Sequence, residues 1–187
     1  MPKINKTRYA ILGVLSLKPG SGYDIKKFCD DSIFYFWNEN YGHLYPVLRQ
    51  LEKDGLVTRS SEQTEGKPPR NVYSITDQGR EELHRWLMLP VEPYPFRSEL
   101  LLKMFFAVNI PRSNLIEKLE QKIQNESSLM RDFAAIEDLI KNRFGGRPEA
   151  DLWLATLDYG KRMTLAAIEW SEETIGKLRE EKTKEGD

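Results

Sequence analysis

One cysteine, Cys29, in 187 residues excludes an internal disulfide and any multi-cysteine zinc site. The two histidines, His43 and His84, are 41 positions apart, so a metal pair is not expected. No apolar run approaches the roughly 18 residues that would suggest a membrane span. The start of the chain, MPKINKTRYAIL, lacks the apolar core of a secretion signal, and the expectation is a soluble, cytoplasmic protein. Catalytic signatures are scarce too. The GSG at Gly20–Gly22 lacks the Lys-Ser/Thr of a phosphate loop, and no nucleophile elbow is present. Adjacent carboxylates at Asp30-Asp31 and Glu81-Glu82 read as solvated charges. An enzyme is therefore not expected, nor is a cofactor. Net charge is −1, which excludes a bulk polycation. A faint gradient survives: residues 1–90 carry 13 Lys+Arg against 11 Asp+Glu, and residues 91–187 carry 15 against 18.

What is present is organised. TRYAILGVLSL packs apolar residues from Tyr9 to Leu17 and stops at Pro19-Gly20, as a buried helix does before a turn. In SGYDIKKFCDDS, Ser21 and Asp24 have near capping-box spacing, and Ile25, Phe28 and Cys29 form a stripe. YGHLYPVLRQLEKDGLV sets Leu44, Leu48 and Leu51 on one helix face. Pro46 lacks an N–H and is tolerated only in a first turn, so this helix starts near Gly42 or His43. Asp54 and Gly55 end it. LVTRS and NVYSIT, joined by a polar tip with Gly66, Pro68 and Pro69, read as a β-hairpin. TDQGREELHRWLML returns to helix, with Leu83, Trp86 and Leu87 on one face.

LPVEPYPF, with three prolines in eight residues, marks a boundary near position 90. Beyond it everything reads as helix: about Phe96 to Val108, then a long helix through Ile116, Leu119, Ile123, Met130, Phe133 and Ile140. That helix is interrupted at Glu126, and Gly145–Pro148 breaks the pattern. The last helix runs from about Glu149 to Arg179 through Trp153, Leu157, Leu165, Ile168, Ile175 and Leu178. Two helices of about 45 Å cannot hide every apolar face on each other and one thin neighbour, so a second copy is expected.

The fold class is thus mainly α. A winged helix-turn-helix DNA-binding domain occupies residues 1–90, and an all-helical dimerisation domain occupies 91–187. In such a module the third helix enters the major groove while the wing straddles phosphates. That gives the odd opening of its third helix a purpose. His43 and Tyr45 offer hydrogen-bonding, flat side chains in the first turn, and Pro46 fixes the entry angle. Arg49 suits a bidentate guanine contact and Lys53 a phosphate. Lys67 and Arg70 at the wing, and Lys6 and Arg8 before the first helix, complete the candidate DNA ligands. The rival from another class is a winged-helix module that docks a protein and never meets DNA, favoured by near-neutral charge and by Glu62 and Glu65 at the wing.

YAILGVL, SGYDIKKF, GHLYPVLRQLEKDGLV and VYSITDQGREEL, with the long helical tail, resemble the PadR family of bacterial transcriptional regulators. The likeness covers nearly the whole chain, in order and spacing. It implies a homodimeric winged-helix regulator, in most members a repressor, on a pseudo-palindromic double-stranded operator. It also implies a possible small aromatic effector, for which Trp86, Trp153 and Tyr159 are the flat side chains in reach. Tryptophans on helix seams are more often core or interface.

Overall fold

The computed structural model describes residues 5–37, 44–63, 69–93 and 96–184. His43 and Lys67, two candidate DNA ligands, lie outside the described residues. The chain divides into two compact units, Met1–Pro93 and Tyr94–Asp187.

The first unit runs α1 (Thr7–Leu17), β1 (Gly20–Ser21), α2 (Gly22–Ser32), α3 (Leu44–Lys53), β2 (Val57–Glu62), β3 (Arg70–Ile75) and α4 (Asp77–Leu87). Its core is the apolar face of each helix turned inward: Ile11, Leu12, Leu15, Ile25, Leu48 and Leu51 are at most 1% exposed. Cys29 is buried among them, a packing residue. Burial of each such side chain contributes roughly 1.5–3 kcal/mol.

Local signals set the element ends. Ser21 and Asp24 form a reciprocal capping box, the serine hydroxyl accepting from the Asp24 N–H and the Ser21 N–H donating to Asp24 Oδ2 at 2.9 Å. Hydrogen bonds from the Ser21 side chain and backbone, with Arg70 nearby, hold the Asp24 carboxyl below its usual range. Past α3 the chain turns through Gly55, whose φ of +73° is left-handed and favours glycine. Thr76 then caps α4 by accepting from the Gly79 N–H at 3.0 Å.

The hairpin is as expected, with Val57 opposite Ile75 and Glu62 opposite Arg70. The sheet has a third strand that sequence reasoning missed: Gly20 and Ser21 pair antiparallel with Tyr73 and Val72, giving the order β1-β3-β2. Leu87 also departs from expectation. It is exposed at the end of α4, while Leu83 and Trp86 pack on the core.

The second unit is helical throughout: α5 (Glu99–Phe105), a 3₁₀ turn (Ala107–Asn109), α6 (Arg112–Leu139), a π turn (Ile140–Phe144) and α7 (Ala150–Lys184). Three expectations are corrected. The helix expected from Phe96 starts only at Glu99, because Ser98 accepts from the Leu101 N–H and caps it. Helix α6 runs unbroken through Glu126, whose carboxylate pairs with Lys122 one turn earlier at 2.6 Å. Leu165 is exposed rather than on the buried seam.

Helices α6 and α7 pack along Leu119 and Phe133 on one side and Leu157 and Ile175 on the other, all nearly or fully buried. An ionic tie joins them. Glu137 accepts from Lys141 and from Lys161 of α7, and these hydrogen bonds hold its carboxyl down at about 2. No helix among the described residues is long and apolar enough to cross a membrane.

Candidate nucleic-acid interface

Helix α3 is anchored by Leu44, Leu48 and Leu51, which are at most 2% exposed. Anchoring one face fixes what the other presents. Tyr45, Arg49 and Lys53, at i, i+4 and i+8, form one exposed ridge along the helix, about 12 Å long. Among the described residues, neither Arg49 nor Lys53 has a carboxylate partner. Glu52, three residues along the helix from Arg49, pairs with Arg59 of β2 at 3.1 Å.

Tyr45 is held as well as exposed. A Cβ added at Gly22 would lie 2.7 Å from Tyr45 Cε1 and 3.2 Å from its hydroxyl, so the ring lies against the first residue of α2. The hydroxyl therefore sits beside a helix N-terminus, where N–H groups and the helix dipole favour an anion. Tyr45 is nonetheless 56% exposed, with room for its ring to swing. Gly22→Ala should thus leave the fold intact and push the ring aside. The expected result is an unchanged melting temperature with operator affinity reduced as far as in Tyr45→Ala. A Gly22→Ala protein that binds like the wild type would detach Tyr45 from the interface.

The other candidate cations among the described residues are engaged by carboxylates. Arg70 reaches Glu62 at 3.1 Å and Asp24 at 3.6 Å. Lys6 pairs with Glu92 at 2.9 Å, and Arg8 lies 3.6 Å from Asp54. The geometry thus leaves Tyr45, Arg49 and Lys53 together as the open ridge, and draws Lys6 and Arg8 into the first unit's own contacts.

The three aromatic candidates do not share a feature of one unit. Trp86 stacks flat on Tyr9, with ring centroids 4.5 Å apart and planes 5° from parallel. In the second unit, Trp153 meets Phe144 edge-on at 5.6 Å. Tyr159 is 64% exposed, six residues further along α7 and on a different face. An open, largely apolar cleft was missed by sequence reasoning. It lies between α5, the 3₁₀ turn and α6, lined by Leu102, Phe106, Ala107 and Ile110, with Lys103 and Lys118 at its edge. Its lining spans positions 102 to 118, and only packing brings Lys118 of α6 beside the rest.

A three-helix core, a hairpin wing and a third helix bearing an exposed Tyr-Arg-Lys ridge define a winged helix-turn-helix protein of the nucleic-acid-binding class. The family model of PadR-like transcriptional regulators matches residues 11–85, and that of the virulence activator alpha C-terminal region matches residues 96–179. Over 127 residues the chain is 30% identical to the negative transcriptional regulator PadR of Bacillus subtilis, spanning 67% of this chain and 69% of that one. A PadR-like regulator from Bacillus cereus superimposes with a TM-score of 0.79 at 29% identity, over 95% of this chain and 98% of its own. The B. subtilis PadR structure with operator DNA gives 0.80 at 24% identity, over 92% and 98%. The same protein with p-coumaric acid gives 0.72 at 25% identity, over 92% and 98%. The chain belongs to the PadR-like family of transcriptional regulators.

Proposed function

We propose that this protein is a homodimeric, cytoplasmic repressor that binds a pseudo-palindromic operator through α3 and the wing and leaves it when a small planar acid binds. The observation that carries the reading is the exposed Tyr45–Arg49–Lys53 ridge, anchored by three buried leucines and free of carboxylate partners among the described residues. Tyr45 meets a phosphate at the head of α2, Arg49 reads a base and Lys53 holds a second phosphate. Arg70, with Lys67 and His43, extends the contact once phosphates compete for its carboxylate partners. Residues 1–90 serve as the DNA-binding domain and 91–187 as the dimerisation domain.

Repression is supported by the name of the B. subtilis relative, a negative regulator. That relative's structure with p-coumaric acid suggests the effector's chemistry. Trp86 is committed to its stack on Tyr9 and Trp153 to Phe144. The cleft lined by Lys118 and by Lys103, the latter paired with Glu99 at 2.5 Å, offers apolar walls and cationic groups, which suit a planar carboxylate better.

Two recognition helices related by a two-fold axis should meet half-sites about 34 Å, or a multiple, apart. Fluorescence anisotropy with the protein's own upstream DNA, in a salt titration against random duplex, tests the reading. Selective binding with a steep salt dependence is expected, reversed by added p-coumarate. Equal, weak binding to both duplexes would end it. In the same assay, Arg49→Ala should cost roughly 1–3 kcal/mol on the operator and relax selectivity at one position. A loss equal on operator and random DNA would make Arg49 a phosphate ligand.

A further inference from the structure

Arg8 stands in the first turn of α1, yet its guanidinium faces the protein. It lies 3.6 Å from Asp54 Oδ2 and 5.7 Å from the centre of the Tyr9 ring, and its Nε is buried without a hydrogen-bond partner. Asp54 directly follows α3 and also accepts from Gln50 of that helix at 2.7 Å. Tyr9 faces the other way along the same network. Its hydroxyl donates to Glu82 Oε1 of α4 at 2.9 Å, and its ring stacks on Trp86. Burial and the Glu82 carboxylate push the phenol upward, so it stays a donor. The contacts run unbroken from Gln50 through Asp54, Arg8 and Tyr9 to Glu82 and Trp86. Helix α1 packs on both α3 and α4 and carries the two residues that join them.

We propose that Arg8 is a positioning residue for operator binding, bracing the C-terminal end of α3 against α4 with Tyr9 as its platform. The proposal rests on the operator-binding reading above. Its physical reason is leverage. A ten-residue helix is about 15 Å long, so a tilt of roughly 10° about one end moves the other by roughly 2–3 Å. That is enough to break a hydrogen bond to a base at the Tyr45 end. The Arg8 guanidinium is turned to Asp54 and the Tyr9 ring, and a positioning role and a phosphate contact predict opposite outcomes.

The test is operator and random-duplex binding by full-length Arg8→Gln, Asp54→Asn, their double variant, Arg8→Lys and Tyr9→Phe, at a temperature below every variant's melting transition. Arg8→Gln and Asp54→Asn should each weaken operator binding about three- to fivefold, in line with an ion pair whose side chains are 28% and 33% exposed. Random-duplex binding and the salt slope should not change. The double variant should be no worse than the poorer single one, and Arg8→Lys should recover most of the loss. Tyr9→Phe keeps the ring and the stack, removes no cation, and should still weaken operator binding about twofold. A salt slope smaller by about 0.9 in Arg8→Gln, with Asp54→Asn binding as well as or better than wild type, would make Arg8 a phosphate ligand and overturn the proposal. Additive losses in the double variant would overturn it too. Wild-type protein that fails to prefer its operator would instead remove the reading beneath it, and the brace with it.

Discussion

Met163→Glu should convert the protein to monomers and cost it the operator. Helix α7 bears two stripes. One, through Leu157, Thr164, Ser171 and Ile175, is buried within the second unit. The other, through Leu152, Thr156, Tyr159, Met163, Ala166 and Trp170, alternates steps of four and three residues and is exposed along its length. That alternation is the spacing of a helix seam made for a partner helix. Leu152 at 70%, Tyr159 at 64% and Met163 at 54% exposure are costly to leave in water. If a second copy covers the stripe, a carboxylate at its middle must be desolvated in both protomers, at several kcal/mol per ion. Light scattering after gel filtration should then report 21.8 kDa instead of twice that mass. Operator affinity should fall by about 100-fold or more, because two linked half-sites bind far more tightly than one. Glu169→Lys, roughly 100° around the helix from the stripe, should change neither property. A Met163→Glu protein that remains dimeric would place the interface elsewhere.

That second stripe shows how the helical half could be read only in part. Periodicity announced long helices, and the surplus of apolar positions raised the expectation of a second copy. It did not say which stripe faced inward. Leu165 scores as apolar yet falls between the two stripes, and Tyr159, chosen as an effector contact, belongs to the exposed one. Nor does the pattern lapse at Glu126 end the helix, because glutamate is itself a good helix former, and Lys122 pairs with it one turn earlier.

The first unit was legible where the chain speaks locally. Pro46 with three leucines placed the third helix and the side it exposes, and Ser21 with Asp24 placed the start of the second. What stayed hidden depends on partners distant in sequence. The two residues of β1 have no periodicity, and their strand exists only because β3 lies beside them. A lysine or arginine near the start of a chain does not announce which carboxylate it will pair with. Glu92 and Asp54 answer Lys6 and Arg8 from 86 and 46 positions away. Tyr45 was chosen for its hydrogen-bonding ring. What holds that ring, Gly22, is a residue that advertises itself only by lacking a side chain.

Gly79→Ala should be the most damaging small change in the first unit. Gly79 lies in the first turn of α4, where a helix approaches the chain entering the hairpin. An added Cβ would stand 2.1 Å from the Leu56 carbonyl oxygen and 2.8 Å from Ile75 Cγ1. The carbonyl cannot retreat cheaply, since it accepts from the Thr76 N–H at 3.1 Å and the Leu56 N–H donates to Leu51 at 2.9 Å. Either α4 lifts away or the cap and hairpin entry part. Such overpacking costs about 3 kcal/mol or more, against about 1 kcal/mol gained from alanine's better helix propensity. Packing wins. The first unit should melt roughly 10–15 °C lower, taking operator binding with it at 37 °C. Gly13→Ala provides the opposite sign by the same chemistry. It sits mid-helix in α1 with nothing within 4 Å of the added carbon, and should stabilise by about 0.5–1 kcal/mol. Thermal melts followed by circular dichroism on the two variants decide the matter. A Gly79→Ala protein as stable as the wild type would mean that α4 does not press on the Leu56 carbonyl, and that the close approach of helix to hairpin is not what seats it.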